Sequence, residues 1–168
     1  MNLTTLNSLS REEFTRVIGP VFEHSPWIAE ATWSQRPFAG VEALHAALCA
    51  TVRSAGEALQ VQLIQAHPDL VGRAALAGTL TPESQREQAG AGLGALDPAE
   101  VALFQGNNAA YRERFGFPFV ICARLNKKEA ISAGFAARLQ NSRPQEIATA
   151  LSEIEQIAWL RLKDLLAT

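Results

Sequence analysis

Apolar residues recur along most of the chain at steps of three and four, the spacing of one face of an α-helix. The clearest early example runs from Val41 to about Arg53, and Gly56 separates it from a shorter helix that ends at Ala66. Other helix starts are marked by a capping residue, mostly with a carboxylate or amide three positions later or a proline directly after it. These predicted starts are Ser10 with Glu13, Ser25 with Pro26, Thr81 with Pro82, Asp97 with Glu100, Asn126 with Glu129, and Ser142 with Gln145.

No stretch alternates with period two for long enough to predict a strand. The single candidate, "FGFPFVICARL" at 115–125, is short and is interrupted by Gly116 and Pro118. A chain of 168 residues is about the length of one domain. We therefore predict an all-α fold, a compact single-domain bundle of about seven to nine helices spanning 1–168.

The composition is that of an ordinary globular protein, with 48% hydrophobic and 19% charged residues. A net charge of −2 gives no electrostatic reason to expect nucleic acid or an anionic membrane as partner, so a small molecule is favoured. No secretion signal or run of 18 apolar residues is found, and we expect a cytoplasmic protein. Cys49 and Cys122 lie in apolar surroundings and are expected to be buried free thiols.

Arg161 stands where the apolar stripe of the last predicted helix lacks a member. The other positions of this stripe are Ile147, Leu151, Ile154, Ala158 and Leu165. An unpaired buried charge is costly. Arg161 must therefore extend its head to water, pair with a carboxylate, or bind an anionic ligand.

The helix that starts at Thr81 carries a polar face. Ser84, Glu87 and Gln88 lie at i, i+3 and i+4, which places a hydroxyl, a carboxylate and an amide side by side. Such a face is either solvated or lines a cavity. The opposite side offers little apolar material for docking by hydrophobic contact alone.

In "LIQAHPDLVGR", residues 63–73, a helix is expected to stop at His67, because Pro68 disfavours the α conformation at the residue before it. The imidazole then either caps the helix C-terminus or faces a cleft. His45 shares a face with apolar residues and is predicted to be a core or boundary residue, and His24 is a weaker candidate still.

The sequence lacks "GxxxxGK[ST]", "HExxH", "CxxC" and "GxSxG", and has no "GxGxxG" after a strand. Phosphate-cradle, dinucleotide and common zinc sites are therefore not indicated, and we expect no metal and no cofactor. One imidazole, one carboxylate and one guanidinium remain, a set suited to proton transfer and anion recognition.

Four strings together resemble the 2-oxo-4-hydroxy-4-carboxy-5-ureidoimidazoline (OHCU) decarboxylases of urate breakdown. They are "AHPDLVGR" at 66–73, "SQREQAGAGL" at 84–93, "NAAYRERFGFPFVICAR" at 108–124 and "EIEQIAWLRL" at 153–162. The resemblance covers about residues 8–166. Val71 is the one departure at a motif position, since many relatives have a smaller residue there.

The resemblance implies an all-helical, usually dimeric and cofactor-independent enzyme that releases CO2 from OHCU and yields (S)-allantoin. It implies catalytic roles for His67, Glu87 and Arg161. The residues it implies around the substrate are Pro68, Ser84, Gln88, Phe119, Val120, Ile121, Cys122 and Ala123.

Two other functions remain open on the sequence. One is a non-catalytic helical module in which the polar faces are solvated. The other is a different cofactor-free lyase or hydrolase that acts on a ureide with the same three groups.

Overall fold

The computed structural model describes residues 1–167, with Ala74 described by its backbone only. These residues form ten α-helices and no strand, which confirms the all-α prediction. The helices are α1 Leu3–Ser8, α2 Arg11–Ile18, α3 Trp27–Thr32, α4 Val41–Ser54, α5 Glu57–Gln65, α6 Arg73–Ala77, α7 Pro82–Gly90, α8 Pro98–Phe115, α9 Lys128–Arg138 and α10 Arg143–Leu166.

Most of the predicted caps are formed. Ser10 Oγ accepts from the Glu13 N–H at 3.2 Å, and the Glu13 carboxylate accepts from the Ser10 N–H at 3.0 Å. Asp97 and Glu100 form the same reciprocal pair at the start of α8. That helix ends at Gly116, whose φ of 80° lies in the left-handed region that favours glycine.

Two predicted helix starts are wrong by one or two residues. Ser25 does not cap α3, because its hydroxyl donates to the Glu23 carbonyl at 2.8 Å. Asn126 does not cap α9, because its amide donates to the Cys122 carbonyl at 2.9 Å. In both cases a short polar side chain donates to a preceding backbone carbonyl, an alternative that local sequence leaves open.

The short helices α1 and α6 were not predicted. The Asn2 side chain caps α1 by accepting from the Thr5 N–H at 2.8 Å. The strand candidate at 115–125 instead contains the end of α8, an extended link and a 3-10 turn at Ala123–Leu125.

The chain divides into two compact units. This division does not decide how many domains the chain has, so the single domain stays a prediction. The first unit contains residues 1–66 and the end of α10 from Glu155 onward. Its core is formed by fully buried side chains of α1 to α5 and α10, among them Leu6, Phe14, Ile18, Ile28, Leu44, Leu48 and Leu162.

The second unit, His67–Ile154, has an aromatic core. Phe119 stacks on Phe135 with ring centroids 3.9 Å apart, and Tyr111 meets Phe119 edge-on at 5.3 Å. The apolar run after Gly116 is therefore a buried extended link held by aromatic packing. No helix within residues 1–167 has the length and apolar character needed to span a membrane.

Candidate functional site

His67 lies directly after α5, which ends at Gln65 with Ala66 as its C-cap. Only 6% of its surface is exposed, so the imidazole is buried at the chain corner that the sequence predicts. Pro68 after it is half-buried. The helix stops where the X-Pro rule places the stop.

The turn after His67 is held by the side chain of Gln88 from α7. Gln88 Oε1 accepts from the Val71 N–H at 3.2 Å, and its Nε2 donates to the Asp69 carbonyl at 3.5 Å. Gln88 is 7% exposed. It therefore anchors the turn, and its predicted contact with substrate stays a prediction.

A second anchor comes from α8. Asn108, buried in that helix, donates from Nδ2 to the Leu70 carbonyl at 2.7 Å. One turn further on, Arg112 Nε lies 3.0 and 3.1 Å from the two carboxylate oxygens of Asp69. Two helices thus fix the backbone that follows His67.

The turn itself requires an unusual backbone. Val71 adopts φ 54°, which is unfavourable for a β-branched residue. A Cβ added to Gly72 would lie 2.6 Å from Asp69 Cβ, so glycine is required there. The string "HPDLVG" therefore specifies one closely packed turn.

The polar face of α7 is a buried face. Ser84 is 5% exposed, Gln88 is buried as described, and Glu87 between them is half-buried. The Thr81 side chain caps the helix through the Ser84 N–H at 3.3 Å. Buried polar groups need partners, and those of Gln88 are the backbone groups of Asp69 and Val71.

The segment 119–123 lies beside α7, which packs against the 3-10 turn at Ala123–Leu125. Phe119, Val120, Cys122 and Ala123 are buried, and Ile121 is half-buried. The Cys122 N–H donates to Glu153 Oε2 at 2.9 Å. This amide is therefore engaged by the protein, and the contact of Cys122 with substrate that the resemblance implies stays a prediction.

The Cys122 thiol is buried and remains protonated. Burial raises its pKa, and the carboxylates of Glu153 and Glu87 raise it further. A protonated thiol cannot serve as a nucleophile at neutral pH.

Arg161 lies in the first unit and is 7% exposed. Its Nη2 donates to Glu23 Oε1 at 2.9 Å, and its Nη1 donates to the Pro20 carbonyl at 3.2 Å. Glu23 is itself 2% exposed. Of the three alternatives for this guanidinium, pairing with a carboxylate is the one observed.

Sequence reasoning missed a second buried cation, Arg138 at the end of α9. Its Nε donates to Glu146 Oε1 at 2.7 Å, and its Nη1 donates to the Val120 carbonyl at 2.6 Å. The same signal that singled out Arg161 was present here, since Ile131, Phe135 and Arg138 follow each other at steps of four and three on one buried face.

The other histidines have ordinary environments. His45 is half-buried, and its Nε2 donates to the Glu155 carbonyl at 2.8 Å, which confirms a boundary residue. His24 is exposed. Cys49 is free and only half-buried, so the expectation of a buried thiol is wrong for this residue and confirmed for Cys122.

The second unit thus contains all the predicted site residues except Arg161. It joins the turn after His67 to Gln88, and it packs the helix that carries Ser84, Glu87 and Gln88 against the turn that begins at Ala123. Arg161 is placed beside Glu23 in the first unit. Within residues 1–167 no group of three or more His, Cys, Asp or Glu side chains could hold a metal ion.

A family model described as OHCU decarboxylase matches residues 7–163 of this chain. The chain is 46% identical over 166 residues to the 2-oxo-4-hydroxy-4-carboxy-5-ureidoimidazoline decarboxylase of Amia calva, with 99% of this chain and 95% of the relative covered. It is also 46% identical to the enzyme of that name from Mus musculus, with 99% and 93% covered.

Among solved structures, the chain is similar to a crystal structure of (S)-allantoin synthase, with a TM-score of 0.78 and 28% identity. The match covers 99% of this chain and 54% of that one, so the chain spans about half the length of the solved protein. The similarity therefore extends over both units described above.

Proposed function

Because the chain belongs to the OHCU decarboxylase family, we propose that it converts OHCU to (S)-allantoin with release of CO2, and that it needs no cofactor. It is a carboxy-lyase of urate degradation. Of the structural features, the buried polar face of α7 supports this proposal most directly, because it sets Ser84, Glu87 and Gln88 beside the turn that begins at His67.

The reaction explains why no cofactor is required. Carbon 4 of the substrate ring carries both the hydroxyl and the carboxylate, and carbon 5 takes part in a C=N bond. When the bond to CO2 breaks, its electron pair forms a C4–C5 double bond while the C=N pair moves to the ring nitrogen, which takes a proton. The substrate therefore supplies its own electron sink, the task that pyridoxal phosphate or thiamine performs in other decarboxylases.

The second half of the reaction sets the stereochemistry. A proton is delivered to carbon 5 from one side, the hydroxyl proton is lost, and the hydroxyl carbon becomes the carbonyl of allantoin. We assign these proton transfers to His67 and Glu87, with His67 bonded to the hydroxyl. The two groups act as a coupled pair, so the proton belongs to the pair and not to one residue.

The remaining predicted residues hold the substrate. Arg161 and Ser84 bind its carbonyl and ureido oxygens, and Gln88 with Pro68 shapes the turn on which His67 lies. The segment Phe119–Ala123 supplies backbone contacts. The Glu23 carboxylate accepts from Arg161 Nη2 and so sets the orientation of the guanidinium.

The direct test is to mix the protein with freshly prepared OHCU and to follow CO2 release and the circular dichroism of the allantoin formed. We expect accelerated release and (S)-allantoin. Racemic product at the uncatalysed rate would reject the decarboxylase assignment. Hydrolysis of the ureido group without CO2 release would support the rival ureide hydrolase.

Two pairs of variants test the catalytic assignments. His67→Asn and Glu87→Gln should each lower kcat by about 10²-fold or more, the usual contribution of a general acid or base. The matched controls are His45→Asn, a half-buried histidine of the first unit, and Glu83→Gln, a half-buried glutamate of the same helix α7. Both controls should keep wild-type turnover, and the helical CD signal should not change in any of the four.

We also propose an assembly and a cellular setting. A homodimer is implied by the resemblance, and light scattering should give twice the 18.2 kDa mass of the chain. The free cysteines suit a reducing compartment such as the cytoplasm. We propose a small molecule as partner and no nucleic acid. Dialysis against EDTA should leave turnover unchanged if no metal takes part.

A further inference from the structure

The ion pair between Arg138 and Glu146 has no part in the chemistry proposed so far. Both residues belong to the second unit, Arg138 is 8% exposed, and Glu146 is fully buried. Removing two charges from water costs about as much as their attraction returns, so a buried pair is weak evidence for stability. The contacts of the Arg138–Glu146 pair must therefore explain why the fold contains this pair.

Arg138 uses its guanidinium on the segment 119–123. Nη1 donates to the Val120 carbonyl at 2.6 Å, and the guanidinium carbon lies 4.2 Å from the centre of the Phe119 ring. One side chain thus holds two consecutive residues of the segment. The planar fork of arginine allows these contacts and the Glu146 bond at once.

Glu146 in turn fixes Arg138. Its Oε1 accepts from Arg138 Nε at 2.7 Å and also from the Tyr111 hydroxyl. Its Oε2 accepts from Asn141 Nδ2 at 2.9 Å. The carboxylate is therefore satisfied on both oxygens, and the guanidinium has little freedom to move away from Val120.

The hydrogen bond from Arg138 to the Val120 carbonyl also orients the N–H of Ile121. A trans peptide unit is planar, so the Ile121 N–H points away from the Val120 C=O of the same unit. The following peptide is fixed independently, because the Cys122 N–H donates to Glu153. Ile121 is the half-buried member of an otherwise buried segment, and no hydrogen bond within the described residues uses its N–H.

We propose that Arg138, held by Glu146, is a positioning residue that fixes the Val120–Ile121 peptide so that the Ile121 N–H can donate to the substrate. This proposal rests on the proposed function, in which Phe119–Ala123 contacts OHCU. Arg138 itself does not touch the substrate and acts through the backbone.

The test removes both charges at once, so that no buried charge is left uncompensated. In Arg138→Met with Glu146→Gln, the glutamine can still accept from the Tyr111 hydroxyl while the Val120 carbonyl loses its donor. We expect the KM for OHCU to rise by about 10-fold, since small displacements of binding groups can cost up to 10²-fold. The kcat should fall less, and hydrogen exchange in peptides covering 119–126 should become faster.

The matched control is Arg143→Met. Arg143 is exposed and donates from Nε to the Phe115 carbonyl at 3.2 Å, so it also joins an arginine to a backbone carbonyl, but outside 119–123. The Arg143 guanidinium lies over the Phe117 ring at 5.6 Å, so the comparison uses peptides that begin after this residue. The KM of Arg143→Met and the exchange of 119–126 should match those of the wild type. Arg138→Lys provides a second variant, which keeps the charge but cannot bind Glu146 and Val120 at the same time. Its KM should lie between that of the wild type and that of the double variant.

A folded double variant with wild-type KM and wild-type exchange would overturn the proposal. If the double variant does not fold, wild-type KM and wild-type exchange in Arg138→Lys would overturn the proposal. Wild-type protein that left OHCU decay unaccelerated would instead contradict the proposed function. Faster exchange of 119–126 in the double variant would even then support the positioning role of Arg138.

Discussion

Each of the two units contains one buried arginine–glutamate pair. In the first, Arg161 binds Glu23 at 2.9 Å and the Pro20 carbonyl at 3.2 Å. In the second, Arg138 binds Glu146 at 2.7 Å and the Val120 carbonyl at 2.6 Å. The two cations have the same burial and the same kinds of partner, yet we assign substrate contact to Arg161 and backbone positioning to Arg138.

The pairs differ in what surrounds them. Arg138 lies over the Phe119 ring, and its carboxylate partner also binds Tyr111 and Asn141, so the pair belongs to a network of the second-unit core. Arg161 lies on the stripe of α10 and is paired with a residue that follows the short turn Gly19–Val21. Burial and pairing alone therefore do not reveal the role of a charge, and only measurements on matched variants separate the two roles.

The largest expected effect is on stability, and it should be the same for both pairs. Arg138→Met alone and Arg161→Met alone should each lower the free energy of unfolding by about 3–5 kcal/mol, because each leaves a buried carboxylate without its cation. Urea denaturation measures this loss. The neutral double variants with Glu146→Gln and Glu23→Gln should recover most of it, and a double variant as unstable as its single variant would show that the pair is not the reason for the loss.

The next effect is on activity, and here the pairs should differ. The double variant of Arg161→Met and Glu23→Gln should lower kcat/KM by about 10²-fold, because a charge-assisted hydrogen bond to substrate contributes roughly 1.5–3 kcal/mol. The Arg138 double variant should lose about 10-fold, mainly through KM. Steady-state kinetics on both proteins provides the comparison. Wild-type kcat/KM in the Arg161 double variant would show that this pair is structural only.

Alkaline pH should affect the two units through different groups. Burial, followed by the hydrogen bond to Glu146, raises the pKa of Tyr111 in the second unit above its ordinary value. Burial, followed by Glu155, raises the pKa of Cys49 in the first unit to about 12. In each case the folded state keeps a proton that the unfolded state releases, so stability is present below the unfolded pKa and is lost as the pH rises above it.

The free energy of unfolding should thus fall with pH, by up to about 1.4 kcal/mol per pH unit for each group. Cys49→Ala should flatten this dependence from about pH 8.5 upward, and Tyr111→Phe only above about pH 10, the ordinary values of the two groups. Urea denaturation at several alkaline pH values measures both. Curves for the two variants that parallel the wild type would contradict the assignment.

The smallest effects should come from the partly exposed ion pairs. Arg53 binds Glu155 at 2.6 Å in the first unit, and Lys128 binds Glu100 at 2.7 Å in the second. Arg53→Met and Lys128→Met should each change the free energy of unfolding far less than the loss of a buried pair does, because solvent screens such pairs. Turnover should stay at the wild-type level. A loss of unfolding free energy as large as that of the buried pairs would remove the distinction between partly exposed and buried pairs.

Sequence reasoning was accurate where the signal is local. The reciprocal caps at Ser10 and Asp97 are formed as predicted. It was less accurate where a short side chain had two backbone partners within reach, as for Ser25 and Asn126. Arg138 carries the same signal as Arg161, since it continues the buried face of α9 formed by Ile131 and Phe135.

The polar face of α7 shows the limit of a pattern most clearly. Its spacing places Ser84, Glu87 and Gln88 together whether that face meets water or the protein interior. The structure decides in favour of the interior, because Gln88 bonds the turn at Val71 and the helix packs against the 3-10 turn that starts at Ala123.

By itself the sequence determined the longer helices, most of their caps and the position at which Arg161 interrupts an apolar face, because those features depend on residues three to seven positions apart. Only the tertiary structure decided which partner each buried charge receives. Glu23 is 138 residues from Arg161, and Val120 is 18 residues from Arg138. Such pairs depend on how whole helices pack, and no local period contains that information.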